Sequence, residues 1–106
     1  MKYIKYKLIF APETLEHLRW IDRKYHRMIK KVLEQQLQYE PDFITLNRKP
    51  LEQPVFPGIT WELRFGPDNR FRVFYQIQTG DRTVWILAIG TKKKNYIFIG
   101  GEEIIL

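Results

Sequence analysis

The 106-residue chain contains no cysteine. That excludes disulfides, a thiolate nucleophile and any zinc site built on sulfur, and it fits a reducing compartment such as the cytoplasm. No apolar run approaches the ~20 residues needed to span a bilayer, so no membrane association is expected. The opening "MKYIKYKLIFAPETLEH" has lysines threaded through it and no uninterrupted apolar stretch, so it does not read as a secretory signal. Histidine is scarce as well. His17 and His26 would fall on opposite sides of a straight helix, and HxxxH spacing is absent. No metal ligand pair is expected, and both histidines read as surface or edge residues. There are no repeats, no low-complexity segments and no linker, so residues 1–106 read as one domain.

What the chain does have is positive charge. Eighteen Lys and Arg against twelve Asp and Glu leave a formal net charge of +6. A small domain this basic carries the electrostatic footprint of a nucleic-acid binder, and it is also compatible with an acidic protein partner. The apolar fraction is 44%, with 15% aromatics, enough for a modest packed core.

The pattern of apolar residues gives the element order. "KYIKYKLIF" alternates, with Ile4, Tyr6, Leu8 and Phe10 on one side and Tyr3, Lys5, Lys7 and Ile9 on the other, the period of a half-buried strand. "APETLEHL" opens a helix, with Pro12 at the first helical position and Glu13 at the positive end of the dipole. Leu15, Leu18, Ile21 or Asp22, and Tyr25 recur at helical spacing, with a break expected near "KYHR". Ile29, Val32, Leu33 and Leu37 mark a second helix, stopped by Pro41. Two such helices with a short joint make a hairpin.

"DFITLNRKPLEQPVFPG", with Pro50, Pro54, Pro57 and Gly58, reads as loop. From Thr60 the period returns to two. "TWELRF" sets Trp61, Leu63 and Phe65 against Thr60, Glu62 and Arg64. "RFRVFYQIQ" sets Phe71, Val73, Tyr75 and Ile77 against Arg70, Arg72, Phe74 and Gln76. "RTVWILAIG" is nearly continuous apolar, as a central strand should be. The expected fold class is α+β: an N-terminal strand, an α-helical hairpin, then an antiparallel β-meander packed on the helices.

The candidate chemistry is cationic. Period two puts Arg64, Arg70 and Arg72 on one outward face, and the run Lys92, Lys93, Lys94 of "GTKKKN" falls at the end of the next strand. Arginine forks match phosphate and lysines add point charge. Phe74 and Tyr96 accompany them as surfaces on which bases can stack. A solvated basic edge that deters strand pairing accounts for the same residues equally well. Glu62 shares a face with Arg64, and a cross-strand ion pair with Arg70 or Arg72 is the favoured reading of it.

"WELRFGPDNRFRVFYQI" followed by "VWILAIGTKKKNY" resembles the RelE/ParE superfamily of toxins from type II toxin–antitoxin pairs. The resemblance covers nearly the whole chain and includes the basic-Pro-Leu stretch "NRKPL". It implies a toxin silenced by a cognate antitoxin, in a heteromeric complex, acting without a cofactor. For RelE-like members it implies ribosome-dependent cleavage of mRNA through attack by the RNA's own 2′-hydroxyl, so that mRNA and the ribosome would be partners.

On that resemblance Arg72 matches a phosphate clamp supported by Arg64, and Lys93 matches a stabiliser of transition-state charge. Arg70, Lys92, Lys94, Arg48 and Lys49 are expected RNA contacts. Glu62 stands where RelE carries a lysine base, and Phe98 stands nearest RelE's late tyrosine. Glu62 or Tyr96 would therefore move the protons. Two further readings stay open: a ParE-like toxin directed at DNA gyrase, and a non-catalytic module that only holds its antitoxin. The C-terminal "GGEEIIL" reads as a last strand or as a tail against the sheet.

Overall fold

A computed structural model describes residues 4–52 and 57–105. Tyr3 and Pro54, placed above in a strand and a loop, lie outside the described residues. The order is β1 (Lys7–Phe10), α1 (Glu13–Arg19), a 3-10 turn (Arg23–Tyr25), α2 (His26–Leu37) and β2 (Arg48–Pro50). Then come β3 (Trp61–Phe65), a second 3-10 turn (Pro67–Asn69), β4 (Phe71–Gln78), β5 (Thr83–Lys93), β6 (Tyr96–Ile99) and β7 (Glu102–Ile104). The expected α+β class and element order hold.

Helix α2 is set by one apolar row. Ile29, Leu33 and Leu37 recur four apart, which keeps them on one face. All three are buried against Trp61, Leu63, Phe71, Val73 and Ile86 of the sheet. The helix ends at Leu37, four residues before the buried Pro41, whose carbonyl accepts the Tyr75 hydroxyl at 2.8 Å. Burial pushes that hydroxyl's pKa far up, so it stays a donor.

The break between the helices comes earlier than "KYHR". The chain leaves α1 at Trp20, and Asp22 caps the 3-10 turn by accepting from the Lys24 amide at 3.0 Å. His26 braces the joint, its Nε2 lying 2.9 Å from both the Leu18 and Ile21 carbonyls. Two carbonyl neighbours make that nitrogen a donor. Leu15 is not on the inner face; it is 71% exposed, and Thr14 is buried instead, with its hydroxyl donated to the Ala11 carbonyl at 2.6 Å.

The sheet runs β2-β3-β4-β5-β6-β7, antiparallel throughout, with β1 added parallel to β5. The "NRKPL" stretch, expected as loop, supplies β2, a short edge strand on β3. Proline at its end suits an edge, since no ladder donor is needed there. Within "GGEEIIL", Glu102–Ile104 form β7, entered through a glycine pair, and Leu106 lies outside the described residues.

Strand β5 is the spine. One of its edges takes β4; the other is shared end to end, β1 on Thr83–Ile86 and β6 on Gly90–Lys93. Between them the edge has no strand neighbour. His17 of α1 fills that gap, its Nδ1 accepting the Ile89 amide at 3.3 Å.

Candidate functional site

The residues expected to act together divide between two places. On the sheet surface away from the α2-packed core, Arg64 and Arg72 are register partners across β3 and β4. Like charges directly opposite repel. Glu62 resolves this by placing its carboxylate between them, Oε1 accepting from Arg64 Nε at 2.8 Å and Oε2 lying 3.6 Å from Arg72 Nη1. The ion pair expected between Glu62 and Arg72 is therefore present, whereas Arg70 takes no part in it.

This cluster is closed. The side chains of Glu62 and Arg72 are only 1% and 5% exposed, and Arg72 Nε donates to the Asn69 carbonyl at 3.1 Å. Burial lowers the Arg72 pKa, Glu62 raises it back, and Arg64 opposes that. The outward face expected for Arg72 is thus corrected: its guanidinium is buried between the Asn69 carbonyl and the Glu62 carboxylate. Phe74, expected beside it as a stacking ring, is fully buried. Only Arg64, at 38% side-chain exposure, reaches solvent from this cluster.

Arg48 is likewise corrected as a nucleic-acid contact. It is 7% exposed and donates Nε to the Phe43 carbonyl at 2.7 Å and Nη1 to the Gln36 carbonyl. It ties the end of α2 to the loop before β2. Lys49, the next residue, is exposed on the edge strand.

The open cations meet elsewhere. Arg70 is not on β4 but at the end of the turn that precedes it. Its carbonyl accepts the Lys92 amide at 2.7 Å, which seats the arginine beside the lysine run. The turn is tightly specified: Asp68 and Asn69 both adopt positive φ, 54° and 52°. Gly66 precedes them at φ 83°, where a Cβ would lie 2.6 Å from the Phe71 ring. The lysine run ends in a similar turn, with Lys94 at φ 56°.

Arg70, Lys92, Lys93 and Lys94 line one groove of about 570 Å³, walled opposite by Trp20, Asp22 and Tyr25 of the helix joint. Arg70 Nη1 donates to the Tyr25 hydroxyl at 3.2 Å, and its guanidinium lies 5.7 Å from that ring's centroid. Lys24 approaches the same ring, at 5.1 Å. Trp20 is 64% exposed. Such a groove suits an anion that also carries a flat apolar group.

A smaller pocket of about 180 Å³ adjoins it, sharing Trp20, Thr91 and Lys93, and is lined further by His17 and Phe98. Burial holds His17 below its ordinary pKa, with Glu13 and Glu16 pulling the other way. Because Nδ1 accepts the Ile89 amide, the proton of the neutral ring sits on Nε2. Tyr96 pairs with Lys93 across the β5–β6 hairpin and is 53% exposed.

Sequence reasoning missed Trp20, Tyr25 and His17 as site neighbours. Tyr25 was legible only as an apolar helix position, and nothing in the sequence brings the joint to the lysine run. Among the described residues, no group of three His, Cys, Asp or Glu side chains is placed to hold a metal ion.

The fold and groove define a small α+β protein with a basic cleft between a helix joint and a β-hairpin. The family model described as ParE toxin of type II toxin–antitoxin system, parDE, matches residues 8–96. The chain belongs to that toxin family, within the RelE/ParE superfamily. No curated protein matches it. Two solved structures share the fold. A chain of the toxin–antitoxin complex RelBE2 from Mycobacterium tuberculosis aligns with TM-score 0.66 and 21% identity, over 84% of this chain and 100% of that one. A chain of the archaeal RelE–RelB complex from Pyrococcus horikoshii OT3 gives 0.58 and 19%, over 85% and 98%.

Proposed function

We propose that this toxin acts on RNA in the cytoplasm as a ribosome-dependent endoribonuclease, held in check by a cognate antitoxin. The observation that carries the reading is the groove: Arg70 from the turn before β4, Lys92 and Lys93 from the end of β5 and Lys94 from the turn after it, facing two aromatic rings. Cations track a phosphate backbone and rings accept unstacked bases, which is how single-stranded nucleic acid is bound.

The reaction needs the RNA, placed charge, and a route by which one proton leaves the 2′-oxygen and one reaches the 5′-oxygen, from solvent or a side chain. The 2′-oxygen attacks the adjacent phosphorus and gives up its proton. The bond to the 5′-oxygen breaks, and that oxygen takes a proton. The products are a 2′,3′-cyclic phosphate and a 5′-hydroxyl. Arg70 and Lys93 stabilise the crowded phosphorane, and Lys92 and Lys94 hold flanking phosphates. Tyr96, exposed beside Lys93, is the candidate for proton transfer. Glu62 is withdrawn from that role because its carboxylate is buried between two guanidinium groups. Arg72 becomes a positioning residue for the sheet, and Arg70 takes its place as phosphate clamp.

A second reading, inhibition of DNA gyrase, is supported by the match of residues 8–96 to the family model described as ParE toxin, since the resemblance directs ParE-like toxins at gyrase. Cleavage of mRNA on programmed ribosomes, run beside a gyrase supercoiling assay, separates the two. Cut mRNA with supercoiling intact supports the first; intact mRNA with supercoiling arrested supports the second.

A further inference from the structure

His17 closes the open edge of β5 with one of its two ring nitrogens. Nδ1 accepts the Ile89 amide, so the neutral ring carries its proton on Nε2. Among the described residues that N–H has no protein acceptor. Sealing a strand edge needs one acceptor, which explains Nδ1 and leaves the second nitrogen unexplained. The ring lines the pocket of about 180 Å³ beside the basic groove. Thr91, on the opposite wall, likewise has no partner for its hydroxyl among the described residues.

Local structure frames this pocket. Ile89, Thr91 and Lys93 alternate onto one face of β5, and Phe98 of β6 is the register partner of Thr91. His17 and Trp20, three apart, come over that face from the end of α1. The Trp20 indole rests on Gly101, where a Cβ would lie 2.7 Å from the ring, and it borders pocket and groove alike. The volume is several times the ~30 Å³ of one water and below the ~300 Å³ of sites for drug-sized ligands. It suits one flat ring system stacked on the indole. Among the described residues no carboxylate lines it. His17 Nε2–H donates, and the Thr91 hydroxyl can rotate to donate beside it. Guanine presents two adjacent acceptors, O6 and N7, to such a wall; adenine puts an amino donor in place of O6, and cytosine also presents one.

We propose that this pocket binds a guanine base, with Trp20 stacked on its face and His17 and Thr91 donating to O6 and N7. The phosphate attached to that base lies in the adjoining groove, where Lys93 borders both spaces. His17 is thereby a specificity-determining residue as well as the seal on β5. The inference rests on the reading of the groove as a phosphate site. A free guanine nucleotide and a guanosine within single-stranded RNA present the same base and phosphate.

The probes are guanosine and adenosine 5′-monophosphates and the pentanucleotides UUGUU and UUAUU, titrated into the full chain at fixed ionic strength. The readout is the NMR signals of the Trp20 indole N–H and the Ile89 amide. The guanine ligand of a pair should bind about tenfold or more tightly than the adenine one and should move both signals. Preference already present in the mononucleotides identifies a free nucleotide as sufficient; preference in the RNA pair alone identifies a residue of a strand. In whichever form binds, 7-deazaguanine, which lacks the N7 acceptor, should bind more weakly than guanine, and hypoxanthine, which keeps O6 and N7, should match it. His17→Phe keeps a flat ring without the donor and should erase the preference; the base analogues carry the same test with the protein unaltered. Equal binding of guanine and adenine in both forms, no binding, or binding that leaves Trp20 and Ile89 unmoved overturns the proposal. Neither ribosome nor gyrase enters this assay. A guanine preference therefore stands even where mRNA stays intact, and its absence leaves cleavage to be judged on the ribosome.

Discussion

Glu62 and Arg72 form an ion pair across β3 and β4 that solvent scarcely reaches, with Oε2 and Nη1 3.6 Å apart. Arg64 shares the carboxylate from the exposed side. Removing one member of a buried pair strands the other charge, at about 3–5 kcal/mol. Glu62→Gln should therefore lower unfolding free energy by about that much in urea melts. Arg64→Ala should cost under about 1 kcal/mol, because its charge is partly in water. Equal small effects from both would contradict the closed geometry.

His17 predicts an acid limb in stability. Burial lowers its pKa in the folded chain below the ordinary 6.5. A histidine depressed on folding contributes stability above its unfolded pKa and loses it as pH falls through the folded one. Protonation would also end the Ile89 amide's bond to Nδ1. Thermal melts should fall as pH drops below 6.5, and His17→Gln should flatten that limb relative to the wild type. An unchanged limb in the variant would assign it to other groups.

Gly101 makes a sharper structural prediction. It turns the β6–β7 hairpin at φ 82°, and a Cβ there would lie 2.7 Å from the Trp20 ring. Gly101→Ala should cost about 1 kcal/mol or more and should free the indole, shifting tryptophan emission to the red. Gly80, where an added Cβ meets nothing within 4 Å, is the control.

The fold was legible because its period changes are clean. The 29, 33, 37 row of α2 and the alternation of "WELRF" each admit one reading. Strand β2 was not legible, because three residues ending in proline carry no period and gain their pairing only from β3. The parallel seat of β1 was hidden for a similar reason: strand order is a tertiary property. For the site, period two put Glu62, Arg64 and Arg72 together correctly. It could not tell that the carboxylate would close the two arginines, since alternation gives a face and not its exposure. It failed for Arg70, because two positive-φ residues end the turn just before it and carry it off the strand. The lysine run kept its place at the end of β5, and its partners on the helix joint came from packing that no local pattern encodes.

The central claim is that Arg70 and the lysine turn, and not the Glu62–Arg72 pair, meet the substrate. It is tested by cleavage of mRNA on programmed ribosomes, comparing wild type with Arg70→Ala, each verified as folded by circular dichroism. Wild type should cut in the A site, and Arg70→Ala should lose about 100-fold or more in rate at unchanged stability, the usual cost of one transition-state charge contact. Folded wild type that leaves mRNA intact, or Arg70→Ala that cuts as fast as wild type, would contradict it.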